Sequence, residues 1–429
     1  MLKDHAAASS PARRDTPPAR GRSVLLLGNY RPSLVIVRAL AAEDRPVVMG
    51  LGMGEPGSEL SRHVREIWHH PHPRLDGGAP FLRALHTLLD RRGDIGALFP
   101  VSEEMVVFLA RHRAALDDRV AVVSPSPEVV ETFTDKTQSL ELARSAGIAT
   151  DPFAIVHGMD ALRTAAAEIG YPLTVRPLAP GLRLLDRKAV ILQSAEAFET
   201  TFGGWPEGHD RLLVQRFATG PRHNQYFAAR NGRLVACVET RILRTNAHDD
   251  TGLAVLGETV ERTPSLLADT ARLVGALDYT GVGVTQFIVS PDGRRHCFLE
   301  LNPRIGGAHA APEAAGLRLS RLALALADGA DPTEDWHGFT YPAGLSYVWT
   351  FGDISGLKRS LADRAIGPVA ALGRLCRILA DAIRADAHLT WSPRDPLPTV
   401  AMFVNGLFRI VLPPWGRREA GADRFPANP

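Results

Sequence analysis

The sequence predicts a mixed α/β and α+β protein with more than one domain. Three observations support this prediction: the length of 429 residues, short apolar strands that alternate with helices in the first third, and antiparallel hairpin signals in the middle. At roughly 150 residues per domain, the length alone suggests two to three domains. Apolar residues make up 45% of the chain and charged residues 22%. These values are typical of globular proteins and exclude a collagen-like fibre, a small disulfide scaffold and a mostly disordered chain.

Residues 23–125 have the pattern of a parallel α/β domain. Short apolar runs alternate with helical patterns there, as βαβ units do. The predicted strands are Val24–Leu27, Val47–Met49, Ala97–Phe99 and Val120–Val123, and the clearest helix is Ala79–Arg91. No G-x-G-x-x-G links a strand to a helix, so a dinucleotide site is not favoured. Residues 1–22 are rich in Ala, Pro and Arg and predict a disordered tail.

Residues 126–330 favour an α+β unit with antiparallel hairpins. A helix over Val129–Ala146 ends at Gly147, a residue suited to a helix C-cap. Asn231-Gly232 and Ser290–Gly293 are turn sequences between apolar strands, and each predicts a hairpin. The remaining residues, 331–429, are predicted as a C-terminal helical cap or extension with a helix at about 356–386.

Charge, hydropathy and cysteine usage narrow the class of protein further. The formal net charge is +2, and its basic excess lies in residues 1–22, which gives no support to a nucleic-acid partner. No clean run of 18 apolar residues occurs, so no membrane span is expected. Cys237, Cys297 and Cys376 have neither metal-ligand nor redox-motif spacing, and we interpret them as reduced core residues of a cytoplasmic protein.

The segment Phe298–Arg304 carries the sharpest chemical signal. Alternation along a strand places the side chains of Glu300 and Asn302 on one face. Gln286, on the preceding hairpin strand, can present a third oxygen across the ladder. Hard oxygens of this kind suit Mg²⁺ with bound phosphates, and Arg304 could stabilise charge on a transferring phosphoryl group. A hairpin with ordinary solvent-facing polar residues is the alternative.

Five segments, in order along the chain, resemble the ATP-grasp superfamily. Glu300-x-Asn302-Pro303-Arg304 resembles its metal-binding signature. The other four are similar to its helix-opening Asp-Lys, its basic strand, its hinge strand and its first metal strand: Asp135-Lys136 with Gly147-Ile148, Tyr171–Pro177, Leu213–Gly220 and Asp278–Phe287. The resemblance covers roughly 125–330. It implies two lobes that clamp a nucleotide, with 23–125 as the pre-ATP-grasp domain.

The resemblance also implies cofactors and site residues. ATP and Mg²⁺, or Mn²⁺ in its place, are the expected cofactors. The implied ATP-binding residues are Lys136, Arg176, Gly181, Arg183, Gln215, Arg216, Phe217 and Ala218. The implied metal ligands are Gln286, Glu300 and Asn302, with Arg304 and Arg241 as catalytic residues. Arg244, His309 and Glu313 would border the acceptor substrate, although a solvated strand face or a plain helix start explains them equally well.

Two departures from the common family pattern affect the expected chemistry. Most members have Glu or Asp where this chain has Gln286. The carbamoyl-phosphate synthetase branch is similar to this chain in using Gln, Glu and Asn at the metal positions. The phosphate loop after Pro177 contains only Gly181, so it offers fewer free backbone N–H groups to phosphates than a glycine-rich loop does. Arg183, Arg187 or Lys188 could compensate with side-chain charge.

The expected function is an ADP-forming ligase that joins a small carboxylate to a small amine through an acyl phosphate. Carboxyphosphate chemistry of the carbamoyl-phosphate synthetase type and a non-catalytic ATP-binding module are the alternatives. The sequence leaves a homodimer open. A short segment near the C-terminus, Trp391–Pro398, resembles a motif that closes some uncharacterised ATP-grasp proteins, and it suggests no mechanism by itself.

Overall fold

The computed structural model describes residues 22–411, except for 56, 117–118, 179–181, 186, 188 and 250–251, and it describes side chains up to residue 405. Three sheets organise these residues, with five, four and seven strands. The disordered tail predicted for 1–22 lies outside the described residues apart from Arg22, whose guanidinium donates to the carbonyl of Ile95.

The N-terminal sheet is fully parallel, with strand order β3-β2-β1-β4-β5. Its elements are β1 (Ser23–Asn29), α1 (Arg31–Ala41), β2 (Val47–Gly54), β3 (Val64–His69), α2 (Ala79–Arg91), β4 (Ile95–Pro100), α3 (Glu103–Arg111) and β5 (Ala121–Val122). The sequence did not indicate β3, because this edge strand is mostly exposed and lacks an apolar run. The strand order reverses between β1 and β4, and the crevice beyond the carboxyl ends of such strands is a common ligand position.

A four-stranded sheet with order β6-β9-β7-β8 follows. Its elements are α4 (Pro127–Thr134), α5 (Lys136–Ser145), β6 (Phe153–Val156), α6 (Met159–Ile169), β7 (Leu173–Pro177), β8 (Val190–Leu192), α7 (Ala195–Thr201) and β9 (Leu212–Arg216). The single helix predicted for 129–146 is two helices. Asp135 interrupts it with an extended backbone, and its carboxylate caps α5 by accepting the N–H groups of Thr137 and Gln138 at 2.8 and 3.1 Å.

The largest sheet has seven strands in the order β14-β13-β10-β11-β12-β15-β16. Its first part contains β10 (Arg222–Arg230), β11 (Arg233–Thr245), β12 (Ala254–Thr259), α8 (Pro264–Ala276), β13 (Gly281–Val289), β14 (His296–Asn302), α9 (Ala310–Ala314) and α10 (Leu319–Ala327). Strands β10 and β11 pair antiparallel around Asn231-Gly232, and β13 pairs antiparallel with β14. Both hairpins therefore form at the turns that the sequence indicated.

The C-terminal segment is more than the helical cap predicted for 331–429. Its elements are β15 (Ser346–Val348), α11 (Thr350–Ala362), α12 (Pro368–Arg384), β16 (Ala387–His388) and α13 (Leu397–Val411). β15 pairs antiparallel with β12, and β16 pairs parallel with β15, so this segment completes the seven-stranded sheet. These strands escaped sequence analysis because they have only two or three residues each. Among the described residues, no helix has the length and apolar character needed to cross a membrane.

Two cores fix the position of the seven-stranded sheet. One face packs against α1 and α10 through residues such as Ile36, Tyr226 and Leu322. The opposite face packs against α8 through residues such as Phe287 and Leu273. The first core joins the N-terminal sheet to this sheet, and the carboxyl ends of β1 and β4 thereby lie near the predicted metal strands.

The expectation that all three cysteines are core residues is wrong for one of them. Cys237 is buried and Cys297 is partly buried, but Cys376 is exposed. The reason is that α12 buries only the side that faces α11, where Ala371 and Ile378 pack.

Candidate active site

The three proposed metal ligands lie on one face of the β13–β14 hairpin. Gln286 pairs with Glu300, and Val284 pairs with Asn302. The ladder is irregular between the Gln286 and Phe287 pairs, because Phe287 pairs with Phe298 and Leu299 has no partner. This bulge allows Phe298 to enter the core with Phe287 while Glu300 faces the other side with Gln286.

A chain of hydrogen bonds connects the polar side chains at the end of β14. The amide nitrogen of Asn302 donates to Glu300 Oε1 at 2.8 Å, and Arg304 Nη2 donates to Asn302 Oδ1 at 3.1 Å. Arg304 also donates to the carbonyl of Ile305 at 3.1 Å and lies 3.7 Å from a carboxylate oxygen of Glu103. Its Nε is buried without a hydrogen-bond partner. These contacts hold Arg304 beside the predicted metal ligands, and its Nε–H group has no acceptor.

The donors in this cluster fit a small, hard divalent cation. Gln286, Glu300 and Asn302 supply two amide oxygens and one carboxylate, the ligand types that Mg²⁺ accepts alongside phosphates and water. In the described part of the chain, no group of three His, Cys, Asp or Glu residues could hold a metal ion. The β13–β14 hairpin does not form such a group, because Glu300 is the one carboxylate among its three predicted ligands.

Arg176 of the four-stranded sheet extends toward this cluster. Its Nη2 donates to Gln215 Oε1 on β9 at 3.1 Å, and its Nε has no partner. Burial lowers the pKa of Arg176, and the negative charge of Glu300 partly offsets that effect. The guanidinium of Arg176, predicted to bind phosphate, thus lies within electrostatic reach of Glu300, a predicted metal ligand.

The other predicted nucleotide residues occupy varied positions. Lys136 is the first residue of α5 and is partly exposed. Phe217 donates its N–H to the carbonyl of Pro172 at 2.9 Å, directly after the hinge strand β9, and Ala218 follows it. The Arg216 side chain is exposed and donates to the carbonyl of Tyr171 at 3.1 Å. Arg183 is exposed, and Gly181 lies outside the described residues.

Arg241 and Arg244 do not join the metal residues. Arg241 pairs across the ladder with His223, whereas Asn224 pairs with Gln286, so Arg241 lies on the opposite face of the sheet. Its guanidinium forms an ion pair with Glu258. Arg244 is bound by two carboxylates, those of Asp353 at 2.6 Å and Asp381 at 2.7 Å. These contacts contradict the catalytic role predicted for Arg241 and the acceptor role predicted for Arg244.

His309 and Glu313, which were predicted to border the acceptor substrate, form a buried cluster with Ser320. His309 is fully buried, and its Nε2 lies 2.7 Å from the Ser320 hydroxyl and 3.0 Å from Glu313. Glu313 also accepts the backbone N–H of Ser320 at 2.8 Å and so supports the start of α10. The other ring nitrogen of His309, Nδ1, is buried without a hydrogen-bond partner. The acceptor role of the pair therefore stays a prediction.

Sequence analysis missed two polar residues beside the metal strands. Asn224 on β10 pairs with Gln286, and Thr240 on β11 pairs with Asn224. Both are almost fully buried, and Asn224 Oδ1 and Thr240 Oγ1 have no hydrogen-bond partner. The only signal in the sequence was a run of polar residues inside a strand, His223–Gln225, which does not reveal which strands become neighbours.

A cavity of about 230 Å³ lies beside Arg304. The ends of β4 and β5 and one side of α10 line it, through residues such as Pro100, Pro125, Val282 and Ala323. Its walls combine these apolar residues with the polar residues Arg113, Ser124, Ser126 and Thr280.

Comparisons with known proteins agree with this architecture. The family model described as the ATP-binding domain of the carbamoyl-phosphate synthase L chain matches residues 135–334. The solved ADP complex of N5-carboxyaminoimidazole ribonucleotide synthetase superposes with a TM-score of 0.56, at 12% identity, over 76% of this chain and 78% of that one. This chain has the ATP-grasp fold.

Two further comparisons match parts of this chain. The L-amino acid ligase from Bacillus licheniformis superposes with a TM-score of 0.53, at 14% identity, over 72% of this chain and 74% of that one. The alpha chain of human mitochondrial propionyl-CoA carboxylase is 28% identical over 246 residues, which are 51% of this chain and 31% of the relative. The chain spans less than a third of the length of the first curated relatives it matches.

Proposed function

We propose that this ATP-grasp protein is an ADP-forming ligase that joins a carboxylate to an amine through an acyl phosphate. The observation that carries the proposal is that the charge of Glu300 on β14 acts on the buried guanidinium of Arg176 on β7. A phosphate-binding cation and a set of hard oxygen donors at one place suit phosphoryl transfer from ATP. Such chemistry needs positioning and charge neutralisation more than covalent participation by the protein.

The proposed roles follow from these positions. Lys136 and Arg176 bind phosphates, with Gly181 and Arg183 in the adjoining loop, and 215–218 contact the adenine. Gln286, Glu300 and Asn302 hold Mg²⁺ or Mn²⁺. The metal ion supplies charge neutralisation between the phosphates when it is bound.

The proposed ligation has two steps. A carboxylate oxygen attacks the γ-phosphorus and ADP leaves. The amine nitrogen then attacks the acyl carbon, phosphate leaves and the amine loses its proton. Arg304 orients the carboxylate and stabilises charge on the acyl phosphate, a task that its unpartnered Nε and its contact with Asn302 support.

The decisive experiment measures ADP and phosphate release with ATP and Mg²⁺ against pooled amino acids and small carboxylates. We expect release that depends on a pool and falls far more than tenfold in Glu300→Ala, a loss of more than ~1.4 kcal/mol of transition-state stabilisation. Glu258→Ala is the matched control, because Glu258 lies on β12 of the same sheet and pairs with Arg241 on the face opposite the predicted metal residues. Wild-type turnover by Glu300→Ala would refute the proposed site, and ATP binding without release from any pool would indicate a non-catalytic module.

Carboxyphosphate chemistry is the second candidate, and the comparisons favour it specifically. The matching family model is that of a carbamoyl-phosphate synthase domain, and the curated relatives include carboxylases. In this reaction bicarbonate replaces the organic carboxylate. ATP turnover that requires bicarbonate and no organic acid would favour it over the first proposal.

The cellular location and oligomeric state also remain proposals. The three cysteines are free thiols, which supports the cytoplasmic location expected from the sequence. A homodimer stays a prediction.

A further inference from the structure

Arg31 lies on the same face of the seven-stranded sheet as the metal residues, at the carboxyl end of β1. It is the first residue of α1, directly after the N-cap Tyr30. Its guanidinium carbon lies 4.1 Å from the centre of a Trp349 ring, and its Nη1 donates to the carbonyl of Ala254 at 3.3 Å. Its Nη2 lies so close to Gly307 that a Cβ there would clash with it. Gly307 therefore makes room for this side chain directly after the metal strand β14.

The positive charge of Arg31 has no carboxylate partner among the described residues. The titratable groups that act on it are Tyr226 and Tyr347, and burial lowers the pKa of Arg31 to about 10. Burial raises the pKa of Tyr347 to about 12 and that of Tyr226 further, so both tyrosines stay neutral near pH 7. They cannot supply a counter-charge. A desolvated cation without one is unfavourable, and a bound anion removes that cost.

Unused hydrogen-bond donors accompany this charge. The Tyr347 hydroxyl lies beside Thr240 and within the electrostatic reach of Arg31. Neither Tyr347 OH nor Thr240 Oγ1 makes a hydrogen bond of good geometry, and the indole N–H of Trp349 is also buried without a partner. Buried polar groups in native proteins are normally satisfied. A guanidinium, two hydroxyls and an indole N–H together form a donor set suited to an anion.

The anion site is linked to the metal residues by adjacent strands. Thr240 pairs with Asn224, and Asn224 pairs with Gln286. Because neighbouring strands lie roughly 4.8 Å apart, Thr240 is about 10 Å from Gln286 along the sheet. A group bound at Arg31 is therefore too distant to be the carboxylate that ATP phosphorylates. Asn224, between the two, offers an unpartnered amide oxygen to an amine N–H.

We propose that Arg31, with Tyr347 and Thr240, binds the carboxylate of the amine substrate, so that the acceptor is an amino acid or a short peptide. The proposal rests on the proposed ligase function and deepens it. The bound acceptor directs its amine past Asn224 toward the acyl phosphate at the metal residues. Arg31 is the cation nearest to these donors, and Arg222 also acts electrostatically on Tyr347. The kinetic test below therefore separates a carboxylate from a phosphate monoester, which has nearly twice the charge.

The kinetic test compares two variants, Arg31→Met and Arg31→Lys, with three acceptors. These are an amino acid from the active pool, its decarboxylated amine and an amine that bears a phosphate group. For Arg31→Met we expect the KM for the amino acid to rise at least tenfold while the KM for the decarboxylated amine is unchanged. Arg31→Lys should recover part of the loss. Equal changes for both amines would overturn the proposal, and a loss confined to the phosphate-bearing amine would assign the site to phosphate.

Stability measurements separate binding from a structural role. Arg45→Met is the matched control, because Arg45 is a partly buried arginine of the same domain that donates to the carbonyl of Arg22. Removing an uncompensated cation should leave the thermal midpoint of Arg31→Met at or above that of Arg45→Met. A midpoint well below the control would show that Arg31 mainly connects the N-terminal domain to the sheet, and it would overturn the proposal.

A binding experiment distinguishes failure of this inference from failure of the ligase proposal. Calorimetry with the amino acid pools alone requires no ATP turnover. Binding to the wild type that is lost in Arg31→Met and weakened in Tyr347→Phe supports the anion site even if no ADP is released. Absence of amino acid binding to the wild type, or equal binding to Arg31→Met, overturns the inference whether or not ATP is consumed.

Discussion

Arg176 and Arg216 differ in exposure, although Gln215, the partner of Arg176, directly precedes Arg216 on β9. Arg176 donates to Gln215, which is buried, whereas the Arg216 side chain is exposed and donates to the carbonyl of Tyr171. We predict that Arg176→Ala lowers Mg²⁺-dependent ATP affinity at least tenfold, about 1.4 kcal/mol. Calorimetric titration with ATP measures this, with Arg163→Ala as the control, because Arg163 is an exposed arginine of α6 that pairs with Glu199. An equal loss in the control would contradict the role of Arg176 in phosphate binding.

Thiol reactivity at the three cysteines should follow their surroundings. Burial raises the pKa of Cys297, as does its contact with Asp151, whose carboxylate accepts the S–H at 3.0 Å. Burial likewise raises the pKa of Cys237. Since the thiolate is the reactive form, we predict that iodoacetamide modifies the exposed Cys376 first and the other two only slowly. Mass spectrometry of a limited reaction reports the order, and early modification of Cys237 would contradict it.

Arg244 shows how an arginine that appears functional in the sequence can have a structural task. It bridges β11 to α11 and α12 through Asp353 and Asp381, and Asp353 is only 2% exposed. Removing Asp353 would leave Arg374, which lies 3.5 Å from it, without that carboxylate and Arg244 with Asp381 alone. We therefore predict that Asp353→Ala lowers the free energy of unfolding by about 3–5 kcal/mol.

Urea unfolding of this variant tests the element-scale prediction. The exposed pair Arg163–Glu199 provides the control, because Glu199→Ala should cost less than about 1 kcal/mol. Similar small losses in both variants would mean that the helices dock through their apolar contacts alone.

The sequence predicted elements well where the signal is local. The common face of Glu300 and Asn302 follows from alternation along one strand, and the hairpin turns follow from their own residues. Predictions that depend on cross-strand pairing were weaker. The cross-strand partner of Gln286 on β10 lies some sixty residues away in the sequence. The pairing register of β10 and β11 places Arg241 on the opposite face of the sheet, and no local pattern predicts that register. Arg31 is a further example, because its surroundings come from residues more than two hundred positions later.

At the scale of the whole molecule, Asp395 connects the C-terminal segment to the N-terminal domain. Its carboxylate accepts hydrogen bonds from Ser61 at 2.7 Å, the N–H of Arg62 at 3.1 Å and Arg38 at 3.0 Å. Arg38 also donates to the carbonyls of Thr390 and Asp395. The sequence suggested no mechanism for the motif around Trp391–Pro398. In the structure, it connects the two ends of the described chain through hydrogen bonds.

The hydrogen bonds of Asp395 predict a contribution to the free energy of unfolding that is lost at acid pH. Burial alone would raise the pKa of Asp395, but the bonds from Ser61, Arg62 and Arg38 outweigh burial and hold it below its usual value. A carboxylate with a lowered pKa in the folded state stabilises above its unfolded pKa, ~3.9, and loses that contribution as the pH falls through the folded value. We predict that Asp395→Asn costs about 2 kcal/mol at pH 7 and progressively less below about pH 4. Urea unfolding at several pH values measures the difference, and a constant gap between the proteins would contradict the prediction.

The unpaired Leu299 has a consequence for how the chain tolerates changes in length. Phe298 and Glu300 face opposite sides of the sheet only because this extra residue lies between them. Deleting Leu299 would make them neighbours, and ordinary alternation would then direct them to the same two sides as before. Deleting Leu301 would instead send Asn302 to the wrong side. Two deletions two positions apart should therefore have unequal effects, and the hairpin can lose its bulge while it keeps its ligands.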